Sequence, residues 1–376
     1  MKIKKLCQTI TLLAAGALLA GGLLAGSGAS QDIPSSRYAT LADSRGVSAL
    51  LLREAIDPLF DETDDVSVGE TRALIVMRDG KLIAERYAEG FGPESRFQSW
   101  SMARTVTGLI AGMMVSDGLL ALDDPAPVAA WQQTGDPRAA ITLRQLLTMS
   151  SGLQHRDGWQ PGDYSDALAM LAGEGARDQA AFAAAKPLIH PDGTTFNESG
   201  GSSMILAGIM TDRLTRSRDA TVRRDAMARF LAARFSGPLG LRDFVPEYDA
   251  SGTLIAGSTM HMTARDYTAL GELIRNRGEA HGHQLIAEPW FDFMTAPSAA
   301  NPAYGGHLWL NRGSDDTPLF PGQASAGILA AVGQRGQFVL VSPEQGLTIV
   351  RLGITREEDM EALKAAMARL ARRFPG

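Results

Sequence analysis

The chain has 376 residues, enough for one large domain or two smaller ones. Apolar residues make up 45% and charged residues 21%, which suits a globular protein able to bury a sizeable core. The formal net charge is −6 and no long basic run occurs, which argues against nucleic acid as a partner.

Residues 1–29 read as a secretory signal peptide: Lys2, Lys4 and Lys5 precede an apolar Leu/Ala/Gly run that ends in small residues. The alternative is an uncleaved anchor, because the run approaches the ~20 residues a membrane span needs. Cys7 precedes the apolar run, so lipoprotein processing is not expected, and cleavage would leave a mature chain with no cysteine. An exported, periplasmic or secreted bacterial protein is the implied setting, with no membrane partner once the leader is removed. Residues 30–70 form a polar N-terminal extension with one short helix expected near Ser48–Leu59.

The main domain is expected over 71–376. "TRALIVMRDGKLIAERYAEG" places two strand-like runs around Asp79-Gly80, a hairpin signal. From Ser101 to about Phe235 the pattern is mainly helical. Met102, Val106, Leu109, Ile110 and Met113 mark one helix face. "ITLRQLLTMSSGL" reads as a short helix with Thr142 as N-cap and Gly152 as stop, and the alanine-rich 168–186 stretch as helical too. "SMILAGIMTDRL" and "RRDAMARFLAARF" are two further helices. Strands return at "GHLWLN", "GILAAVG", "QFVLVSP" and "LTIVRLGI", and "EEDMEALKAAMARLARRF" closes the chain as a helix. Strands at both ends and helices between them imply an α+β fold: one antiparallel sheet built from both termini, flanked by helices, with a large helical insertion over about 101–285.

Metal and cofactor chemistry finds little support. His281 and His283 form an H-x-H pair in a loop-like segment without carboxylates at ligand spacing, and no HExxH, Walker A or strand-following GxGxxG occurs. No GxSxG turn is present either. His155, just after "SSGLQ", reads as a surface-loop histidine, with an approach to the substrate region as the alternative. Ser101 is the strongest chemical candidate. It stands where a polar turn meets the apolar helix pattern, so backbone N–H groups and the positive end of the helix dipole surround it. Arg104 follows one helical turn later. The bland alternative is a simple N-cap. Against it, a capping box wants Glu or Gln three residues on, and Arg104 is a cation in a first turn that disfavours one.

At these residues the chain resembles the serine β-lactamase-related hydrolases: class C β-lactamases, D,D-peptidases, esterases of that fold and 6-aminohexanoate-dimer hydrolases. "SMARTVTGLIAGMMVSDGLLALDDP" resembles the segment with the family's S-x-x-K. "ITLRQLLTMSSGL" follows as the next landmark, and "HPDGTTFNESGGSSMILAGIM" resembles the segment carrying Tyr-x-Asn or Tyr-Ser-Ser. "GPLGLRDF", "STMHMTARDYTALGELIRNRG", "YGGHLWL" and "AAVGQRGQFVLVSPEQGLTIVRLG" complete a collinear series from about residue 70 to 370.

The resemblance implies that Ser101 attacks a carbonyl and forms an acyl-enzyme, with its own backbone N–H and one from the strand near Val332–Gln337 as oxyanion hole. It implies a small ester, amide or peptide-like substrate, no cofactor and no metal. Val332, Gly333, Gln334 and Trp309 are the expected substrate-side residues. Trp100 and Trp309 have cleft and packing readings alike, and Gln334 and Gln337 serve either the substrate or their own loop. Two departures stand out. The family lysine falls on Arg104, which stays protonated and cannot act as a base, and Glu198 stands where the family has its tyrosine. Either the site is rewired, with Glu198 as base and Arg104 orienting it, or substrate or water supplies the proton transfer. The remaining reading is a catalytically impaired fold serving as a binding module.

Overall fold

The computed structural model describes residues 47–61, 67–158, 164–313 and 317–376. The expected leader and most of the N-terminal extension lie outside the described residues. The extension's helix is within them: α1 (Ala49–Ile56) starts at Ser48, whose hydroxyl accepts from Leu51 N–H, and runs into a 3-10 turn at Asp57–Leu59.

The central sheet unites the two ends of the domain. Its strands are β1 (Glu70–Arg78) and β2 (Lys81–Tyr87) from one end, and β8 (Trp309–Leu310), β9 (Leu329–Gly333), β10 (Gln337–Ser342) and β11 (Leu347–Ile354) from the other. The order is β2-β1-β11-β10-β9-β8, and every neighbouring pair is antiparallel. Asp79 and Gly80 both have positive φ, 49° and 72°, the backbone a two-residue hairpin turn requires. The pleat sorts the strands' side chains into two cores. Leu74, Val76, Phe338, Leu340, Leu347 and Ile349 pack with α1 and the C-terminal helix α10 (Met360–Ala371). Ala73, Ile75, Val339, Val341, Val350 and Leu352 belong to the larger core, built on the helices of the insertion.

The insertion between β2 and β8, wider than the expected 101–285, holds α2 (Met102–Ser116), α3 (Leu143–Leu147), α4 (Asp166–Ala172), α5 (Gln179–Ala184), α6 (Gly200–Leu214), α7 (Ala220–Phe230), α8 (Ala264–Arg275) and α9 (Glu288–Thr295). It also carries β3 (Arg96–Gln98), β4 (Val245–Pro246) and β5 (Met260–Thr263), a small sheet ordered β3-β5-β4, and the hairpin β6 (Glu279–Ala280) with β7 (His283–Gln284). Neither small sheet was visible as a sequence pattern, because strands this short have no period to read.

Three expectations need correction. The apolar face read for α2 is only part of its contact surface: every residue from Met102 to Met114 is buried, as for a helix packed on all sides. α3 stops at Leu147 rather than at Gly152, because Met149 already turns left-handed at φ 55°. Its predicted start holds: Thr142 and Gln145 form a reciprocal capping box. The 168–186 stretch, read as helical, is interrupted: it holds parts of two short helices, with Ser165 and Asp178 as separate N-caps.

Candidate functional site

Ser101 owes its position to the short strand before it. β3 pairs with β5, and Ser99 then fixes the chain, its N–H donating to Met260 O at 2.7 Å and its hydroxyl accepting from Met260 N–H at 3.1 Å. Trp100 is left-handed, φ 48°, a backbone state that costs a non-glycine residue of order 1 kcal/mol or more and recurs at functional turns. The chain thereby enters α2 abruptly at Ser101. Ser101 holds the N-cap position but its side chain caps nothing. The first-turn N–H groups of Met102, Ala103 and Arg104 donate instead to the carbonyls of Ser99, Trp100 and Ser101. The Ser101 hydroxyl is therefore not spent on helix formation, and it donates to Gln334 Oε1 at 3.3 Å.

One turn into α2, Arg104 is 8% exposed and sits between two carboxylates. Its Nη1 meets Glu198 Oε1 at 2.7 Å and its Nη2 meets Asp157 Oδ2 at 3.3 Å. Burial alone would push the guanidinium pKa down; Glu198 and Asp157 more than offset that and hold it above the usual arginine value. Glu198 directly precedes the N-cap of α6, Ser199, whose hydroxyl accepts from Ser202 N–H. Asp157 comes from the loop after α3, where its Oδ2 also accepts the Gly200 N–H at 2.5 Å. Sequence reasoning missed Asp157: a single Asp-Gly in a loop has no spacing that ties it to Arg104. It also missed Tyr304, whose buried phenol neighbours Arg104 and Glu198. Burial, then the Glu198 charge, push that phenol well above its usual pKa, so it stays protonated.

On the opposite wall is the β9–β10 turn. Gly333 is required there by close approach: a Cβ would stand 2.6 Å from Ser99 O. Neither the Ser101 nor the Gln334 backbone N–H finds an acceptor among the described residues. The turn is held from below. Gln337 Nε2 donates to the carbonyls of Gln334, Arg335 and Gly353, which resolves its role in favour of its own loop. Arg351, buried in the middle of the sheet, donates from Nη1 to Gly336 O at 2.9 Å and from Nε to Thr71 Oγ1 at 3.0 Å.

These walls enclose a cleft of about 960 Å3. Ser101, Arg104, Glu198, Trp309, Val332, Gly333 and Gln334 line it together with Asp157, while Gln337 does not. Trp309 combines the two readings open to it, packing edge-on against Tyr304 at 4.9 Å while facing the cleft. Trp100 also lines the cleft. A second groove of about 420 Å3, between β2 and α8, is mostly apolar and holds no serine nucleophile.

His155 is not a surface residue. Its ring packs over Gly201, where a Cβ would come within 2.4 Å of it, and burial lowers its pKa to about 4. His307 is buried too, with Nδ1 against Leu147 O at 2.7 Å and Nε2 against Ser203 Oγ at 2.9 Å. His281 and His283 are exposed on the β6–β7 hairpin, as read from sequence. Among the described residues no group of three or more His, Cys, Asp or Glu could hold a metal ion.

Comparison with known proteins places this geometry. The profile of the family described as Beta-lactamase matches residues 64–372. A 6-aminohexanoate-dimer hydrolase of Paenarthrobacter ureafaciens is 22% identical over 316 residues, covering 77% of this chain and 74% of the relative. The crystal structure of a family VIII carboxylesterase superposes with a TM-score of 0.61 at 13% identity, over 85% of this chain and 97% of that one. A penicillin-binding protein homologue from Caulobacter crescentus does so with 0.58 at 16%, again over 85% and 97%. The profile match takes in both ends of the sheet and the whole helical insertion, and on that ground the chain belongs to the β-lactamase family of serine hydrolases.

Proposed function

We propose that the protein hydrolyses a small ester or amide through an acyl-enzyme on Ser101. The observation that carries this reading is the Ser101 side chain itself: it stands at a helix start without capping it, in the wall of a 960 Å3 cleft. The Ser101 and Gln334 backbone N–H groups, free of other acceptors, would take the negative charge of the tetrahedral intermediate. Glu198 takes the proton from Ser101, and Arg104, held at 2.7 Å, orients the carboxylate. Arginine is fit for that orienting role and unfit for the base role, since it keeps its charge while offering a fixed fork of donors. The names of the relatives, a 6-aminohexanoate-dimer hydrolase and a carboxylesterase, favour a small amide or ester substrate. The leader-like residues 1–29 favour an exported enzyme.

One observation favours a second reading. The Ser101 hydroxyl donates to Gln334 rather than to a carboxylate, so the site would also suit a binding module in which Arg104, Glu198 and Asp157 form a structural ion cluster. A phosphonate ester probe decides between them. It should label Ser101, and Ser101→Ala should abolish labelling; an unmodified, folded wild type would establish the binding module. Glu198→Gln should cut ester hydrolysis by ~10²-fold or more if Glu198 is the base. An unchanged rate removes Glu198 from the mechanism.

A further inference from the structure

Ser101, Arg104, Asp157 and Gln334 line a second space besides the large cleft. It is a recess of about 20 Å3 whose other walls include Ala167, Met170, Met204 and the backbone at Gly200 and Gly257. That is room for one water molecule and for nothing larger. Two buried polar atoms of its lining residues have no hydrogen-bond partner among the described residues: Arg104 Nε, a donor, and Asp157 Oδ1, an acceptor. The remaining Asp157 oxygen is already engaged by Gly200 N–H and Arg104 Nη2. Buried polar atoms are satisfied as a rule, by protein or by ordered water. A single water in the recess would satisfy both atoms if it accepted from Arg104 Nε and donated to Asp157 Oδ1. Gly200 opens the space. It stands two residues after Glu198, where the motif this segment resembles carries Asn or Ser. A Cβ at Gly200 would stand 3.5 Å from Asp157 Oδ2, 3.7 Å from Met170 Cε and 3.8 Å from Arg104 Nη2.

We propose that this recess holds the hydrolytic water and that Asp157 is the base that activates it. The inference rests on the reading of Ser101 as an acylated nucleophile, and it divides the proton transfers: Glu198 serves acylation, Asp157 deacylation. The acyl group occupies the 960 Å3 cleft, so it does not compete with the water for room. One water O–H points to Asp157 Oδ1. As the water oxygen bonds to the carbonyl carbon of the Ser101 ester, Asp157 takes that proton and the carbonyl π pair moves onto oxygen. The tetrahedral intermediate re-forms the C=O bond and breaks the bond to Ser101 Oγ. Asp157 returns its proton to Oγ. The products are a carboxylic acid and free Ser101.

The test is burst kinetics of the wild-type and variant proteins with p-nitrophenyl acetate, joined to intact-mass detection of the acyl adduct. Asp157→Asn should acylate at a rate within about threefold of wild type while steady-state turnover falls ~10²-fold or more, with the adduct accumulating on Ser101. Asp157 also holds Arg104, so a second variant guards against misfolding. Gly200→Ala leaves every charge in place, suits a helix, and puts a methyl in the recess at ordinary contact distances. It should slow deacylation at least about tenfold, by occluding the water, and leave the burst intact. Equal losses of acylation and deacylation in Asp157→Asn, or wild-type turnover without adduct in Gly200→Ala, overturn the proposal. A wild type that shows neither a burst nor phosphonate labelling fails at Ser101 itself. A labelled wild type beside unaffected variants fails only in the placement of the water.

Discussion

Replacing Arg104 by Met tests the electrostatic centre of the site. The guanidinium lies between Glu198 and Asp157, at 2.7 and 3.3 Å. At an effective dielectric of about 20, each contact corresponds to roughly 5–6 kcal/mol of Coulomb attraction, most of it cancelled by the cost of burying the charges. Removing one partner of a buried pair exposes that cost, typically ~3–5 kcal/mol, because the remaining charges lose their compensation. Glu198 keeps 31% of its side chain exposed, so water screens it and the lower end, about 3 kcal/mol, is expected. Urea unfolding followed by tryptophan fluorescence at neutral pH measures the loss. The decisive companion is the triple variant Arg104→Met/Asp157→Asn/Glu198→Gln. It neutralises the whole cluster and should recover at least half of the lost stability, since the three residues act as a unit. A single variant within about 1 kcal/mol of wild type, or a triple variant no better than the single one, would refute the electrostatic account. Arg104→Lys should fall between the two, because an ammonium cannot reach both carboxylates with a planar fork.

Two further outcomes follow from the site's surroundings. Burial lowers the His307 pKa to about 4, against an unperturbed 6.5, so the unfolded chain binds the extra proton first. Stability from this residue is complete above pH ~6.5 and is lost as pH falls towards 4. Linkage gives a loss of about 2 kcal/mol between pH 7 and 5, and His307→Gln should flatten that part of the urea-midpoint profile; a variant with the wild-type slope would exclude His307 as its source. Gly333→Ala forces a Cβ to within 2.6 Å of Ser99 O, so the β9 end must move away from the Ser101 turn. Misplacement on the ångström scale costs ~10²-fold in rate, and kcat for ester hydrolysis should drop accordingly; wild-type kcat would show that the turn tolerates the shift.

Much of the fold could be read from the residues because its signals are local and periodic. The Asp79-Gly80 hairpin, the Thr142 capping box, the apolar runs of β9 to β11 and the closing helix each depend on neighbours a few residues away. The same holds for the candidate site as far as landmarks in consistent order carried it, from Ser101 to Gln334. What escaped was set by long-range contact. His155 looked like a loop residue because nothing in "GLQHRDG" announces that α6 covers it. Nothing in the run "LTIVRLGI" marks Arg351 as buried, yet it is, and it donates to the Arg335 and Gly336 carbonyls of the β9–β10 turn.

The sequence by itself determined that Ser101 opens the central helix and that Arg104 and Glu198 carry complementary charges; that both stand at changed positions is what the resemblance to the family implies. Chain order and residue type suffice for this, because a helix start, a cation and a carboxylate are properties of single residues and their spacing. Only the tertiary structure decided that Arg104 serves two carboxylates instead of one. Asp157 is 53 residues from Arg104, and their contact depends on how the loop after α3 meets the start of α6. Such a meeting is fixed by packing across the whole helical insertion, and no local pattern encodes it.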